Sequence, residues 1–308
     1  MRIGIVILPE VRRAELVRRW QLAETYGFDH AWTYDHLGWR TLVDSPWYSA
    51  VPTLSAAAMV TSRIRLGTFV ASPNFRHPVP FARELTALDD LSAGRLLLGI
   101  GSGGIGYDTA VLGEPDLPLS ARTDRFVEFV ELLNSLLTQS RTTWTGTHYA
   151  AVEARIIPGC VQVPRIPFVV AANGPRAMRL AVRYGQGWAT SGNPHRAEDT
   201  DWWDALAGVC RRFTDELARQ GRDPATMARY LQVDAGLVFS MSSVECFRDA
   251  LGRAAELGFT DVVTHWPRAD GPYSGSEKTL ERVAAEVLPG RLAISLRDHG
   301  ATTSFPAE

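Results

Sequence analysis

The sequence contains almost no lysine, and this absence already limits the chemistry that the chain can perform. Of its 32 basic residues only Lys278 is a lysine, and the others are arginines. Lys278 lies in the segment Ser276–Thr279, where the last helix is expected to begin. A Schiff-base mechanism, such as that of an aldolase, needs an amine nucleophile inside the active site. The sequence therefore disfavours this class of barrel enzyme.

Cysteine is scarce and long apolar runs are absent. Cys160, Cys210 and Cys246 are far apart and odd in number, which fits neither a disulfide framework nor a zinc-ligand spacing. No histidine pair has a metal-ligand spacing, so we expect no metal. The apolar runs are strand-sized, so we expect no membrane span, and Met1–Pro9 is interpreted as a first strand rather than a secretion signal. These features together predict a cytoplasmic protein with reduced thiols.

A strong charge of either sign is also missing. The formal net charge is -2 at pH 7 over 308 residues, which gives no electrostatic reason to expect a nucleic acid or an anionic membrane as partner. A hydrophobic content of 45% in a chain of this length suits one large α/β domain. The partners that we expect are a small-molecule substrate and a second copy of the chain in a homodimer.

Strand-like apolar runs recur along the chain, and each is followed by an amphipathic helical pattern. The runs are Arg2–Leu8, His30–Tyr34, Ile64–Val70, Arg95–Ile100, Phe168–Ala172, Gly187–Ser191, Gln232–Phe239 and Asp261–Trp266. Eight strands that alternate with eight helices predict a (β/α)₈ TIM barrel. A doubly wound sheet is the alternative, which the lack of a domain break disfavours. We expect a single domain over residues 1–290 and a C-terminal tail over 291–308.

Insertions are expected after several strands, which in a barrel is the face where active sites lie. They are Trp39–Ser49, Gly104–Ser120, Asn193–Thr200 and Trp266–Gly275. A further segment, Thr142–Ala151, alternates around Gly146 and is interpreted as a β-hairpin.

Asp35 and His36 end the second predicted strand. A histidine at the C-terminal end of a barrel strand can act as an acid or base near neutral pH, and the adjacent carboxylate can orient the site. The pair could instead cap loop amides. His265 ends the last strand and could point into the same site, and Tyr107 and Asp108 are further candidates for a substrate pocket.

The run Gly99–Gly104 formally fits the pattern G-x-G-x-x-G. A dinucleotide-binding fingerprint needs a helix directly after the glycines, whereas an irregular stretch with prolines follows here. We interpret the run as a strand end whose glycines let the backbone approach a ring.

A second candidate binding element is the turn from the fifth strand into a helix. Pro175 suits the first helical position, so the amides of Gly174, Arg176 and Ala177 are expected to point out of the helix start. Such amides and the helix dipole together favour an anion. An ordinary capped helix remains the alternative.

The runs Gly67–Pro78 and Asp89–Gly103, with Asp35–His36 before them, resemble the luciferase-like oxidoreductases. These are barrel enzymes that use a reduced flavin or the deazaflavin coenzyme F420. The resemblance covers Met1 to about Pro289 and implies hydride transfer between F420 and a small organic substrate. The segment Ser72–Arg76 and the arginine bias favour F420 over FMN. The alternatives are an FMNH₂-dependent monooxygenase that uses O₂ and a flavin-binding protein without turnover.

The resemblance also implies roles for individual residues. His36 would face the cofactor ring as the catalytic residue, and the peptide bond Phe69–Val70 would be cis. The implied cofactor contacts are Asp35, Phe69, Val70, Ser72, Gly101, Ser102, Asn173, Gly174, Arg176 and Ala177. The expected substrate pocket comprises Trp39, Trp47, Tyr107 and His265. Sugar-phosphate dehydrogenases of this family carry a catalytic glutamate after a similar glycine run, where this chain has Gly104, so we expect a different substrate and a different proton donor.

Overall fold

The computed structural model describes residues 1–192, 201–236 and 238–288. In chain order the strands are β1 (Arg2–Val6), β2 (His30–Thr33), β3 (Arg65–Ala71), β4 (Leu96–Ile100), β5 (Thr142–Thr145), β6 (Ala150–Ala154), β7 (Phe168–Ala171), β8 (Gly187–Thr190), β9 (Ala228–Gln232) and β10 (Asp261–His265). Eight of them form a closed barrel in the order β1-β10-β9-β8-β7-β4-β3-β2, and every neighbouring pair is parallel. The predicted TIM barrel is therefore confirmed.

A helix follows each barrel strand and covers the outside of the barrel. The helices are α1 (Arg13–Thr25), α2 (Ala50–Val60), α3 (Pro78–Leu91), α4 (Tyr107–Ala110), α5 (Leu119–Thr138), α6 (Pro175–Tyr184), α7 (Trp202–Arg219), α8 (Val244–Glu256) and α9 (Glu277–Val287). Strands β5 and β6 pair antiparallel outside the barrel, which confirms the predicted hairpin. No helix in the described part of the chain is both long and apolar enough to cross a bilayer.

Local sequence signals account for the ends of several helices. Helix α1 ends before Gly27, which has a φ of 87° that favours glycine. Helix α3 begins at Pro78, where the missing N–H costs no hydrogen bond, and the Nδ1 atom of His77 accepts the amide N–H of Val79 at 3.2 Å. Helix α9 begins after Ser276, whose hydroxyl accepts the amide N–H of Lys278 at 3.2 Å.

The seventh barrel strand was predicted wrongly. The prediction placed it at Gln232–Phe239, but the observed strand is Ala228–Gln232 and a 3₁₀ turn follows at Val233–Ala235. Arg229 made the true strand look like a loop, yet its guanidinium lies over the ring of Trp188, 5.5 Å from the centroid. The correction matters because it moves Gln232 and the residues after it to the C-terminal end of the barrel.

Two apolar layers hold the structure together. Inside the barrel, Trp32, Leu97, Val169, Tyr230 and Val263 are buried against one another. A larger layer fills the space between the strands and the helices, and its largest fully buried members are Trp20, Trp188, Phe81, Phe126, Phe129, Phe168, Phe213 and Phe247. Burial of apolar surface of this kind is the main favourable contribution to folding.

The structure also tests the two backbone features expected at β3 and β4. The peptide bond Phe69–Val70 is cis, as predicted. Glycine is required at position 99 for a reason other than the expected approach of the backbone to a ring. A Cβ atom there would lie 2.0 Å from the carbonyl oxygen of Thr68 on the neighbouring strand. Gly99 therefore lets β3 and β4 pack closely.

Some predictions fall on residues that the structure does not describe. The expected insertion Asn193–Thr200, with His195, lies entirely outside the described residues. The expected tail 291–308, with His299, also lies outside the described residues.

Candidate active site

Two adjoining cavities open at the C-terminal end of the barrel. The larger has a volume of about 1190 Å³ and the smaller a volume of about 510 Å³. The residues that line both are His36, Arg40, Phe69, Val70, Ser191 and Gln232. These shared residues mark the boundary at which a molecule in one cavity meets a molecule in the other.

The inner end of the larger cavity is apolar and lies directly over the barrel strands. Phe69, Val70, Ala171 and Ala189 contribute its apolar surface, and Gly101 adds exposed backbone. At Gly101 a Cβ atom would lie 2.9 Å from the Cγ2 atom of Val70, so a side chain there would compete for the same space. A flat ring system suits such a surface better than a charged group does.

The outer end of the larger cavity is suited to an anion. Helix α6 begins there, and Gly174 precedes it without a side-chain cap. The first helical hydrogen bond joins the amide N–H of Met178 to the carbonyl of Gly174 at 2.9 Å, so the amides before Met178 are left for a ligand. Arg176 and Arg212 add positive charge to the lining, although Arg176 also pairs with Asp124.

The backbone at Gly174 does not itself require glycine. Its φ is -104°, which any residue can adopt, and a Cβ atom there would meet no described atom within 4 Å. A branched side chain would therefore not strain this turn. A larger residue at this position would interfere only with a bound ligand.

His36 is held at the boundary of the two cavities by a buried carboxylate. Its Nδ1 atom lies 2.6 Å from Oδ2 of Asp108, which comes from the short helix α4. Oδ1 of Asp108 accepts the amide N–H of Leu37 at 2.7 Å. Because a carboxylate only accepts hydrogen bonds, it favours the imidazole tautomer with the proton on Nδ1. This leaves Nε2 as the acceptor that can face a ligand.

The smaller cavity has aromatic walls. Trp39 and Tyr273 stack with ring centroids 6.0 Å apart and planes 18° from parallel, and Phe239 and Pro272 complete the apolar side. Arg40 is the only arginine or lysine among the described lining residues, and its guanidinium lies 4.7 Å from the centroid of the Trp39 ring. The cavity also presents the polar side chains of Tyr34, Gln232 and Asp234, so it suits a small uncharged molecule that can both pack on rings and form hydrogen bonds.

The structure brings together most of the expected cofactor contacts, because all of them except Asp35 line the larger cavity. Asp35 is almost fully buried and lines neither cavity. Its two carboxylate oxygens accept hydrogen bonds from the guanidinium of Arg76, at 2.6 and 3.0 Å. Burial lowers the pKa of Arg76, but the hydrogen bond and charge of Asp35 outweigh it, so that pKa is raised. Asp35 therefore anchors the loop after β3 instead of facing a ligand.

The expected substrate-pocket residues are only partly brought together. Trp39 lines the smaller cavity. Trp47 lies outside both cavities and donates its indole N–H to the carbonyl of His36 at 2.8 Å. Tyr107 is 40% exposed and lines neither cavity. His265 is fully buried below the cavity floor, where its ring stacks on Tyr273.

Most lining residues of the smaller cavity were not singled out from the sequence, and four of them are joined by side-chain hydrogen bonds, directly or through an adjoining histidine. They are Tyr34, Gln232, Asp234 and Tyr273. Tyr34 could have been found, because side chains alternate along a strand and Tyr34 therefore shares the face of His36. Gln232 and Asp234 were hidden by the wrong position of the seventh strand.

Comparisons with known proteins agree with this geometry. The sequence profile of the family described as luciferase-like monooxygenase matches residues 1–262. An F420-dependent glucose-6-phosphate dehydrogenase of Beutenbergia cavernae is 34% identical over 87% of this chain and 90% of its own length.

Two solved structures share the fold. The coenzyme F420-dependent tetrahydromethanopterin reductase of Methanopyrus kandleri has a TM-score of 0.74 at 19% identity, over 94% of this chain and 99% of its own. A monooxygenase of Streptomyces bottropensis has a TM-score of 0.75 at 22% identity, over the same 94% and 99%. At these identities the similarity concerns the fold alone.

Proposed function

The chain belongs to the luciferase-like monooxygenase family, and from this premise we propose that it is an oxidoreductase that transfers a hydride between coenzyme F420 and a small, uncharged organic substrate. The observation that carries the proposal is the pair of cavities that meet at His36, Val70 and Gln232. One cavity suits a long molecule with a ring at one end and an anionic group at the other. The other cavity suits a compact, uncharged substrate that can form hydrogen bonds.

The residues of the larger cavity fit a deazaflavin coenzyme. The apolar surface of Phe69, Val70 and Ala171 would hold the ring, and the free amides at the start of α6 would hold the phosphate. When bound, the coenzyme supplies the site at which a hydride is accepted or released. Support for F420 over FMN comes from the Beutenbergia cavernae relative, whose name states dependence on F420.

We assign to His36 the hydrogen bond that holds the reacting oxygen of the substrate at the cavity boundary. Its Nδ1 atom is held by Asp108 at 2.6 Å, so Nε2 is the ring nitrogen that can bond the substrate. Asp108 acts through His36 and is a positioning residue. A substrate misplaced by about 1 Å can lose roughly 10²-fold in rate.

The proposed substrate is an alcohol or a carbonyl compound without a phosphate group. A phosphate monoester needs several cationic or N–H donors, and the smaller cavity offers one guanidinium, Arg40, which is packed on Trp39. Gly104, which stands where sugar-phosphate dehydrogenases carry a glutamate, supplies no acid or base. The substrate is therefore expected to differ from the one named for the Beutenbergia cavernae relative.

The alternative function is oxygenation by a reduced FMN, which the description of the family as monooxygenases favours. The two functions differ in their use of oxygen. Purified protein should be titrated with F420 and with FMN by fluorescence, and its turnover should then be followed with a panel of secondary alcohols under argon. Binding of F420 and its reduction without oxygen support the proposal. Binding of FMN alone, with oxygen consumption, contradicts it.

We also propose that the protein works in the cytoplasm as a homodimer. The three cysteines are free in the structure, which suits a reducing compartment. The hairpin and the loop after it expose Val152, Ile157, Val161 and Val163, and exposed apolar side chains of this kind often belong to interfaces. Light scattering after size exclusion tests the dimer, and a monomeric mass would contradict it.

A further inference from the structure

Below the smaller cavity lies a buried chain of hydrogen bonds that the proposed role of His36 does not use. It runs from Tyr273 through Tyr34 and His265 to Asp234. The hydroxyls of Tyr273 and Tyr34 are 3.0 Å apart, the hydroxyl of Tyr34 is 2.8 Å from Nε2 of His265, and Nδ1 of His265 is 2.8 Å from Oδ2 of Asp234. We propose that this chain is a proton relay that takes the hydroxyl proton of an alcohol substrate bound in the smaller cavity.

The direction of the relay follows from its inner end. Asp234 accepts the hydroxyl of Thr264 at 3.0 Å and the amide N–H of Ser240 at 2.9 Å, so its carboxylate is fixed and well satisfied. A carboxylate can only accept, so Nδ1 of His265 carries the proton and Nε2 is the acceptor. The single hydroxyl proton of Tyr34 must then point at His265.

The outer end of the relay is open to the cavity. With its own proton given to His265, the oxygen of Tyr34 accepts the side-chain N–H of Gln232 at 2.9 Å and the hydroxyl of Tyr273. The oxygen of Tyr273 can in turn accept a proton from a ligand. Tyr34, Gln232 and Tyr273 all line the smaller cavity, so the relay begins where a substrate would lie.

The backbone conformation of Tyr273 supports a functional role for this residue. Its φ is 62°, in the left-handed region that bulky residues rarely adopt. The residue is held there because its ring stacks on His265, with centroids 3.6 Å apart, and its carbonyl accepts the amide N–H of Arg268 at 2.9 Å. The unfavourable conformation places the phenol over the relay.

The tyrosines themselves are suited to pass a proton on and not to keep a charge. Burial is the largest cause that raises the pKa of Tyr34 and of Tyr273 above the ordinary value of a tyrosine. The charged groups that act on Tyr34 are Asp234, which raises its pKa further, and Arg40, which lowers it. Both phenols therefore stay neutral, and the positive charge that arrives at His265 is balanced by Asp234.

The proposal rests on the proposed function, because the oxidant is the oxidised deazaflavin. In alcohol oxidation the carbon loses a hydride to that coenzyme and the oxygen loses a proton to Tyr273. Tyr273 passes its own proton to Tyr34, and Tyr34 passes its proton to Nε2 of His265. The electron pair of the O–H bond then forms the carbonyl bond of the product. Since His265 is fully buried, the proton leaves by the same route, through Tyr34 and Tyr273 to water.

The relay is tested by deleting single hydroxyls. For Tyr34→Phe and Tyr273→Phe we expect turnover of a secondary alcohol such as cyclohexanol to fall by at least about a hundredfold. The KM for the alcohol and the Kd for F420 should stay within about threefold. Tyr149→Phe is the matched control, because the Tyr149 hydroxyl is buried without a partner among the described residues and lies outside both cavities. The control should keep its turnover.

Several results would overturn the relay. Normal turnover in Tyr34→Phe would show that no proton passes through this hydroxyl. Loss of F420 binding in the same variant, or an equal loss of turnover in Tyr149→Phe, would show that the effect is structural. A solvent isotope effect that depends linearly on deuterium content would indicate one proton in flight, whereas the relay requires more than one.

A measurement on the protein without turnover separates this proposal from the proposed function. In ¹⁵N-histidine-labelled protein, with the His265 signal assigned from His265→Asn, the proton should lie on Nδ1. Tyr34→Phe should then shift the Nε2 resonance. A proton on Nε2 would reverse the chain and overturn the relay. If the NMR result agrees but no alcohol reduces F420, the proposed function fails while the geometry of the hydrogen bonds stands.

Discussion

A histidine–carboxylate pair lies at the start of strand β2 and another lies just beyond its end, and the two pairs are used in opposite ways. At the N-terminal end, His30 accepts the indole N–H of Trp32 at 2.7 Å, and its Nε2 atom lies 3.1 Å from Asp261. At the C-terminal end, Nδ1 of His36 bonds Asp108 and the side chain remains 25% exposed. The described residues satisfy both nitrogens of His30 but only Nδ1 of His36.

The two histidines therefore serve different purposes: His30 contributes to stability, whereas His36 is available for chemistry. A histidine with both nitrogens bonded and with only 2% exposure has nothing left to offer a ligand. Gly4 shows how tightly it is enclosed, because a Cβ atom there would lie 1.9 Å from the Nδ1 atom of His30. A barrel uses its N-terminal end for stability and its C-terminal end for catalysis, and the two pairs follow that division.

The largest effect is expected at the C-terminal pair. His36→Ala should lower turnover by at least about a hundredfold, because the side chain that holds the reacting oxygen in place is lost, while the Kd for F420 changes by no more than about threefold. Steady-state kinetics and fluorescence titration measure the two quantities. His148→Ala, at an exposed hairpin histidine outside both cavities, is the control. A variant that loses F420 binding instead would make His36 a binding residue.

At the N-terminal pair we expect a loss of stability without a loss of chemistry. Asp261→Asn should lower the free energy of unfolding by about 3 kcal/mol, because His30 and Arg2 lose a fully buried carboxylate. Urea denaturation measures this change. Turnover per folded molecule should equal that of the wild type, and a selective loss of turnover would break the division between the two ends.

The same substitution predicts a pH dependence of stability. Burial would raise the pKa of Asp261, but the hydrogen bonds from His30 and Arg2 outweigh it, and the pKa is lowered. A carboxyl group with a lower pKa in the folded state stabilises the fold above its unfolded pKa of about 3.9. The stability difference between wild type and Asp261→Asn should therefore be constant near neutral pH and shrink as the pH falls below about 4. A difference that grows in acid would contradict this.

A smaller effect, on cofactor affinity alone, is expected from a substitution at Gly174 at the C-terminal end of the barrel. Gly174→Val should weaken F420 binding about tenfold, or about 1.4 kcal/mol, because the added side chain would occupy the place of the phosphate. Thermal stability should not change, since the backbone there tolerates any residue. Gly252→Val, on helix α8 and also with no described atom within 4 Å of a Cβ, is the control. Unchanged affinity in Gly174→Val would place the phosphate elsewhere.

The smallest effect is expected at the exposed partner of Asp261. Arg2 donates two hydrogen bonds of 2.8 Å to Asp261, but its side chain is 51% exposed. Arg2→Gln should therefore cost only about 1 kcal/mol in urea denaturation, because water screens an exposed ion pair. A loss as large as that of Asp261→Asn would mean that Arg2, and not His30, is the important partner of the buried carboxylate.

Much of the fold followed from patterns that are local in the sequence. The barrel strands end within a residue or two of most of the predicted boundaries, because apolar runs and their turn residues lie next to each other in the chain. The cis bond at Phe69–Val70 was predicted from family resemblance and is confirmed. The error at β9 arose because Arg229 breaks the apolar run, while its packing on Trp188 is visible only in three dimensions.

The candidate site was predictable only in part, because pairing partners are distant in the chain. His36 and nearly all of the expected cofactor contacts were named from their places at strand ends, and their roles stay predictions. Asp35 was assigned to the cofactor since it adjoins His36, but Arg76, which lies 41 residues away, binds it. No sequence signal pairs His36 with Asp108, which is 72 residues away.

The sequence by itself therefore determined the alternation of strands and helices, the family and the strand ends at which chemistry could take place. Local propensity and period carry that information, because they depend on residues a few positions apart. Only the tertiary structure decided which histidine is buried with both nitrogens bonded, which one faces a cavity, and which one belongs to the hydrogen-bond chain from Tyr273 to Asp234. Hydrogen bonds that close over 31 to 231 residues decide those roles, and they exist only once the barrel has brought its strands side by side.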